Sequence, residues 1–339
     1  MQPERRGEVA SSPISHCSLP SLFSPQVCHL GTNLILEYLQ TNTIMAPDLS
    51  QNKAVKLVAH AAANKYAICA TCCYNVEGIL ASVRAAEAKR APLIIQLFPW
   101  AITYADGILL HAAREAADNA SVPVALHMDH AQTPEIVKKA ANFEKGFDGI
   151  MVDMSHFDDN LEKTAELVRY CNERGIITEA EPGRIDGGED GVGDLSEMGL
   201  EAILTTPEQA EEFVATGINW LAPAFGNVHG KYGPKGPQLD YPRLRNVHAK
   251  VGDRVALVLH GAGKEWFQEK LLKECIECGV AKVNINDAFN NDFIDIMKEQ
   301  AGLTPLTGLI EKATDAMQKS IENYIEWMGG QGMADKIQL

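Results

Sequence analysis

VPVALHMDHAQTPEIVKKAANFEKGFDGIMVDMSH, residues 122–156, decides the fold. Two short apolar, β-branched runs, Val122–Met128 and Gly149–Val152, flank an Ala- and Lys-containing stretch of helical character. A near-continuous apolar strand followed by a helix and another such strand is the pattern of a parallel sheet covered by helices. Both runs stop in polar residues: His127, Asp129 and His130 close the first, and Asp153, Ser155 and His156 close the second.

The same rhythm extends in both directions. Apolar runs stand at Tyr66–Cys72, Pro92–Leu97, Ile176–Glu181, Trp220–Pro223, Val255–His260 and Ala281–Ile285, which with the first two makes eight. Stretches of 3.6-residue period lie between them, such as VEGILASVRAAEAKR (76–90) and NLEKTAELVRYCNERG (160–175). Eight strands, each followed by a helix, are the count of a single (β/α)8 TIM barrel. A doubly wound open sheet is the alternative, but no G-x-G-x-x-G follows the first run, which counts against a dinucleotide-binding version. Residues 1–48 differ: Pro3, Pro13, Pro20 and Pro25 stand among many serines, without sustained period. They read as a poorly ordered extension carrying one short helix near Leu34–Leu39, with Met45 an alternative start and the barrel spanning 49–339. A targeting peptide is the competing reading of this Ser-rich segment.

Barrel enzymes build their sites at the C-terminal ends of the strands. Beyond the two opening runs, the later ones end in Glu179 and Glu181, Asn227 and His229, His260 with a glycine loop, and Asn284, Asn286 and Asp287. Polar ends on so many strands converge on one mouth and predict a metal or acid–base site. His130, His229 and His260, from three strands, suit a three-ligand catalytic zinc with one open position, with Glu181 as fourth or alternative ligand. Two long connections, Pro182–Gly199 and Asn227–Leu239, follow strand ends with candidate ligands and read as lids.

Composition narrows the partners. The chain has 339 residues, 46% hydrophobic and 22% charged, and a net charge of −15. That balance gives no electrostatic case for nucleic acid or an anionic membrane, but leaves room for an anionic substrate in a locally positive pocket. Eight cysteines are too few for a disulfide scaffold and read as reduced thiols of an intracellular, cytoplasmic protein. Cys275 and Cys278 lie in a helix pattern without a second pair, so a zinc site there is not expected. No run of eighteen apolar residues exists to cross a membrane. The amphipathic segment LIEKATDAMQKSIENYIEWM (309–328) is expected in the core or at a subunit interface.

The segments LHMDH (126–130), DGIMVDMSH (148–156), EAEPGRIDGGEDG (179–191), FGNVHGKY (225–232), VLHGAG (258–263) and AKVNIN (281–286) together resemble the class II, zinc-dependent ketose-bisphosphate aldolases of the fructose- and tagatose-bisphosphate type. AICATCCYNVEGILASVRAAE (67–87) is similar to that family's opening segment, so the resemblance runs from Asn52 to the C-terminal helix. It implies reversible aldol cleavage of a ketose 1,6-bisphosphate to dihydroxyacetone phosphate and glyceraldehyde 3-phosphate. It also implies His130, His229 and His260 as zinc ligands, with Glu181 the nearby metal-associated glutamate and Asp153 a second-shell residue or alternative cation site. Asp129 would handle the proton of the aldehyde-derived hydroxyl, and Glu189 the carbon-bound proton of dihydroxyacetone phosphate. The ketose phosphate would lie against Gly230, Gly261, Ala262, Gly263, Asn284, Ile285, Asn286 and Asp287, with a monovalent cation nearby, in a homodimer or homotetramer.

Three positions depart from the family pattern. Gly263 stands where the family carries Ser, Asp287 where it carries Thr, and Gly233 where it carries Lys. QLFPWA (96–101) also lacks the small polar residues usual there, and Met154 replaces a Gly. These departures motivate the alternatives: an aldolase of a different phosphorylated or unphosphorylated ketose, or a catalytically silent barrel that binds metal. Lys282 is the only candidate for a Schiff-base mechanism, which would leave the three histidines unexplained.

Overall fold

The computed structural model describes residues 48–188 and 202–339, all within one compact unit, Ala46–Leu339. The expected helix near Leu34–Leu39, nearly all of the extension, and Glu189 lie outside the described residues. Eight strands close into an all-parallel barrel: β1 (Ile68–Cys72), β2 (Leu93–Leu97), β3 (Val124–Ala131), β4 (Gly149–Val152), β5 (Ile177–Ala180), β7 (Trp220–Leu221), β9 (Ala256–Leu259) and β10 (Val280–Ile285). β10 pairs with β1, which completes the closure. This is the (β/α)8 TIM barrel read from the sequence. Two short strands, β6 (Asp186–Gly187) and β8 (Val228–His229), were not expected and form a separate parallel pair.

Alternation divides the side chains of each strand. Leu93, Ile95 and Leu97 of β2 join the outer core beneath the helices, whereas Ile94 joins an inner cluster with Ile68, Ala70, Ala125, Ile177, Trp220 and Val258. The helix Lys53–Asn64 belongs to the inner cluster through Ala54, Leu57, Val58 and Ala61. It plugs the N-terminal end of the barrel. Asn52 caps it by accepting from the Ala54 amide, and the same side chain donates to Asp148 O at 2.8 Å and Gly175 O at 3.0 Å. Lys53 Nζ donates to Val124 O at the start of β3. With the bottom closed, a ligand can enter only from the C-terminal face.

The long C-terminal helix, Leu306–Trp327, buries Leu309, Ala313, Met317, Ile321 and Ile325 against Val76–Lys89 and Asp287–Gln300, so its apolar face is core. No helix of the described residues is long and apolar enough to cross a membrane. The six described cysteines, Cys275 and Cys278 among them, are buried and form no disulfide.

Leu57 is fully buried in the plug. Leu57→Ala should therefore lower stability by about 2–5 kcal/mol, the range for truncating a large core side chain, measured by urea unfolding. A change below about 0.5 kcal/mol, the range of ordinary surface sites, would mean that the helix does not hold the barrel closed.

Candidate active site

Strict alternation would send Asp129 and His130 to opposite faces of β3. The structure brings both to the mouth. The register of β3 against β4 shifts between Met128 and Ala131, and His130 has φ of +42°. A left-handed residue in a bulge re-aims the chain. It turns the His130 ring inward beside Asp129, with Nε2 4.0 Å from Asp129 Oδ1.

His229 follows from the pairing of β6 with β8. Gly187 has φ of +84°, and a Cβ there would lie 2.1 Å from His229 O. Only glycine permits that approach. The two connections expected as lids are thus joined to each other near the mouth. The first is also clasped at its base, where Arg184 and Ile203 exchange backbone hydrogen bonds at 2.8 and 2.9 Å. His260 ends β9, before Gly261, which passes so close to Val228 O that no Cβ would fit.

His130, His229 and His260 are buried and each offers a ring nitrogen within 4.8 Å of the others. Carboxylates fix two of the tautomers, because a carboxylate can only accept. His130 Nδ1–H donates to Asp153 Oδ2 at 2.9 Å, leaving the Nε2 lone pair toward the cluster. His260 Nε2–H donates to Glu179 Oε1 at 2.7 Å, leaving the Nδ1 lone pair there. Those two nitrogens are 3.1 Å apart, and His229 Nε2 is 3.3 Å from His260 Nδ1. Such converging lone pairs need a proton or a cation among them. Glu181 stands beside the trio: its Oε1 accepts from the Ile185 amide at 2.6 Å, while its buried Oε2 has no hydrogen-bond partner.

The electrostatics also call for positive charge. Burial alone would lower His130, but Asp129, Asp153 and Glu181 outweigh it and lift this imidazole to about 10. Burial and the Asp153 charge push the Glu181 carboxyl well above the usual range. Burial, with His130 and His260 nearby, holds His229 well below its ordinary value. The donor set therefore fits a divalent cation that favours nitrogen ligands.

Asp129 is held by its neighbours. Gln96 Nε2 donates to Oδ2 at 2.5 Å, Asn284 Nδ2 lies 3.2 and 3.3 Å from the two oxygens, and Cys72 Sγ lies 3.7 Å from Oδ2. Phe98 stacks on the His130 ring at 6.0 Å and on Tyr74 at 5.6 Å, so one wall of the mouth is aromatic.

The expected ketose-phosphate residues separate into groups. Gly230, Gly263 and Asp287 stand together, Gly261 lies against Val228, and Asn284 and Asn286 turn to Asp129 and Tyr74. Ala262 and Ile285 send their side chains into the outer core, which leaves only their backbone for a ligand. The physical reason is alternation: Ile285 lies one residue beyond the inward-facing Asn284.

Glu179, read from sequence only as one of the polar strand ends, and Lys282, weighed only for a Schiff base, organise the centre. Glu179 is fully buried and meets His260, Lys282 and His127, its Oε2 lying 2.8 Å from Lys282 Nζ and 3.3 Å from His127 Nε2. Burial would raise this carboxyl, but Lys282, His127 and His260 together drive it well below the usual range. Lys282 Nζ also donates to Asn284 Oδ1 at 2.8 Å. This pairing leaves no free amine for a Schiff base. The available signal was spacing: Glu179 and Lys282 each stand two residues before a polar strand-end residue and so share its inward face.

The comparisons agree with this geometry. The family model described as "Fructose-bisphosphate aldolase class-II" matches residues 52–333. A Coccidioides immitis (strain RS) protein provisionally named a fructose-bisphosphate aldolase is 57% identical over 297 residues, covering 85% of this chain and 97% of its own. The fructose-bisphosphate aldolase of Thermus caldophilus is 32% identical over 307 residues, covering 83% and 98%. Among solved structures, a Coccidioides immitis protein superimposes with a TM-score of 0.83 at 57% identity, covering 85% of this chain and 100% of that one. The YdjI aldolase of Escherichia coli K12 superimposes with a TM-score of 0.70 at 30% identity, covering 83% and 98%.

Glu179→Ala would strand Lys282 as an unpaired buried cation and release His260. Loss of about 3–5 kcal/mol is expected from breaking such a pair, measured by chemical denaturation. Metal affinity should fall about 10–100-fold, as when the outer partner of a ligating histidine is lost, measured by competition with a chromogenic chelator. Unchanged affinity would show that His260 does not depend on Glu179.

Proposed function

The chain belongs to the class II fructose-bisphosphate aldolase family, a family of lyases, and we propose that it catalyses zinc-dependent, reversible aldol cleavage of a ketose. Family membership puts fructose and tagatose 1,6-bisphosphate first, cleaved to dihydroxyacetone phosphate and glyceraldehyde 3-phosphate. The observation that carries the reading is the buried trio of ring nitrogens set beside a held carboxylate, Asp129. We read His130, His229 and His260 as the zinc ligands, with Glu181 an additional acceptor. Zinc held there supplies a Lewis acid that polarises the ketone carbonyl.

The chain's own residues move the protons. In cleavage, Asp129 accepts the proton of the C4 hydroxyl as the C3–C4 bond breaks. The electron pair stays with the ketone half and the aldehyde half leaves. Gln96 and Asn284 hold the Asp129 carboxylate in place for that transfer. Glu189, by its place in the family motif, returns a proton to C3. Asn284 accepts from Lys282, which pairs with Glu179, and Glu179 accepts from His260; this chain links the orientation of the base to that of a ligand. Assembly as a homodimer or homotetramer, a monovalent cation near the phosphate, and a cytoplasmic location rest on the same family ground.

A second reading, a related ketose without the phosphate on its ketone half, is favoured by Asp287 and Gly263, which give that region a carboxylate and no side-chain donor. The test is a coupled cleavage assay on the purified chain with both bisphosphates and their counterparts lacking the C1 phosphate. EDTA should abolish cleavage and zinc should restore it. Cleavage that survives EDTA and is trapped by borohydride would overturn the zinc reading. Stoichiometric zinc with no turnover of any ketose would point to a silent barrel.

Asp129→Asn should lower kcat about 10²–10⁴-fold, the usual contribution of a positioned acid–base group, while zinc content stays at the wild-type level. A variant that still cleaves at more than a third of the wild-type rate would remove Asp129 from the mechanism.

A further inference from the structure

The glycine loop after β9 and the start of the helix Asp287–Gln300 meet beside Gly230 at the mouth. Loop amides and a helix N-terminus are the usual cradle for a phosphate. Here the chain's own carboxylate has entered it. Lys264 N donates to Asp287 Oδ1 at 3.3 Å. A Cβ built on Gly263 would lie 3.6 and 3.7 Å from the two Asp287 oxygens and 3.7 Å from Gly230 O. Asp287, Gly263 and Gly230 therefore line one small space, in which both side-chain and backbone oxygens are acceptors.

Lys264 and Lys231 act on the Asp287 charge only from beyond ion-pair distance and so offset it in part. Lys264 Nζ is bound to Asp292, and Lys231 is exposed. Among the described residues, no Lys or Arg nitrogen lies within ion-pair distance of Asp287. Nearby, Asn286 Nδ2 donates to the Tyr74 hydroxyl at 2.9 Å, and Tyr74 stacks on Phe98. The Asn286 side-chain donor is thus committed to Tyr74, and the wall it meets is aromatic.

We propose that Asp287 selects against a phosphate on the ketone half of the substrate, so that this pocket takes a hydroxyl-terminated ketone of the dihydroxyacetone class. The proposal rests on the aldolase reading above and decides between its two substrate readings. A phosphate dianion against an unpaired carboxylate is repelled. A hydroxyl in the same place donates a charge-assisted hydrogen bond to it. Asp287 is thus a specificity-determining residue, and the chemistry at His130, His229, His260 and Asp129 is left as it is.

The test needs only the ketone half. Zinc-loaded full chain is incubated in D2O with dihydroxyacetone or with dihydroxyacetone phosphate, and exchange of the carbon-bound proton is followed by NMR. Wild type should exchange dihydroxyacetone with a kcat/KM about tenfold or more above that for the phosphate, since like-charge juxtaposition is strongly disfavoured. D287N keeps the size and the acceptor for the Lys264 amide but removes the charge. D287S removes the carboxylate altogether. Both should reverse the preference, chiefly through KM for the phosphate. Faster exchange of the phosphate by wild type, or an unchanged ratio in D287N, would overturn the proposal. Exchange of neither compound by zinc-loaded wild type would instead sink the aldolase reading on which it rests.

Discussion

A single backbone inversion makes the site possible. A strand alternates, so two adjacent residues cannot both serve one face of a sheet. His130 escapes that rule through its φ of +42° at the shifted end of β3. Left-handed backbone at a residue with a Cβ is strained by about 1–3 kcal/mol and persists only where its surroundings over-determine it. Here Asp153 grips Nδ1, Phe98 stacks on the ring, and His260 meets Nε2. The result is a carboxylate and a ring nitrogen of the histidine cluster from consecutive residues. No regular strand could place them so close.

Around that inversion, charge is arranged in two shells of opposite purpose. Close to the ring nitrogens, Asp129, Asp153 and Glu181 create a potential that favours a cation. Behind them, Lys282 stands fully buried against Glu179. A buried ion pair is seldom a net source of stability. Its effect here is on direction: the Lys282 ammonium keeps Glu179 anionic, and an anionic Glu179 accepts the Nε2 proton of His260. Asn284 receives the other side of Lys282 and carries the constraint on to Asp129. The His260 tautomer and the Asp129 orientation are thus set by one connected network, reached from strands on both sides of the barrel closure.

Much of this was legible in the sequence, and the gaps have physical causes. Eight apolar runs with helical stretches between them specify the barrel, because a parallel strand buried on both faces must be apolar nearly throughout. The polar closing residues, His130, His229 and His260 among them, stand out against that background. Alternation also contains the inward placement of Glu179 and Lys282, yet composition alone does not say that these two meet across the barrel. The inversion at His130 leaves no trace in periodicity. Nor do β6 and β8, since two-residue strands are shorter than any repeat. Ile285 shows the opposite failure: motif position groups it with Asn284 and Asn286, while the pleat turns its side chain into the core.

The departures from the family pattern follow from the way this fold divides labour. The histidine trio and Asp129 stand at strand ends, where neighbours on both sides fix each rotamer and a change disturbs the whole network. Three of the positions that depart from the family pattern stand instead on loops and a helix start: Gly233 in the β8 connection, Gly263 after β9, and Asp287 after β10. Loop residues answer to fewer contacts, so they can change without unfolding the barrel. Those three departures lie there and replace donors with acceptors or with nothing, whereas QLFPWA (96–101) and Met154 depart at the ends of β2 and β4. On the proposed function, a change confined to the loops would alter which end group the pocket tolerates and leave His130, His229, His260 and Asp129 in place. Selection at that end could therefore shift from an anion to a hydroxyl without moving the histidine trio.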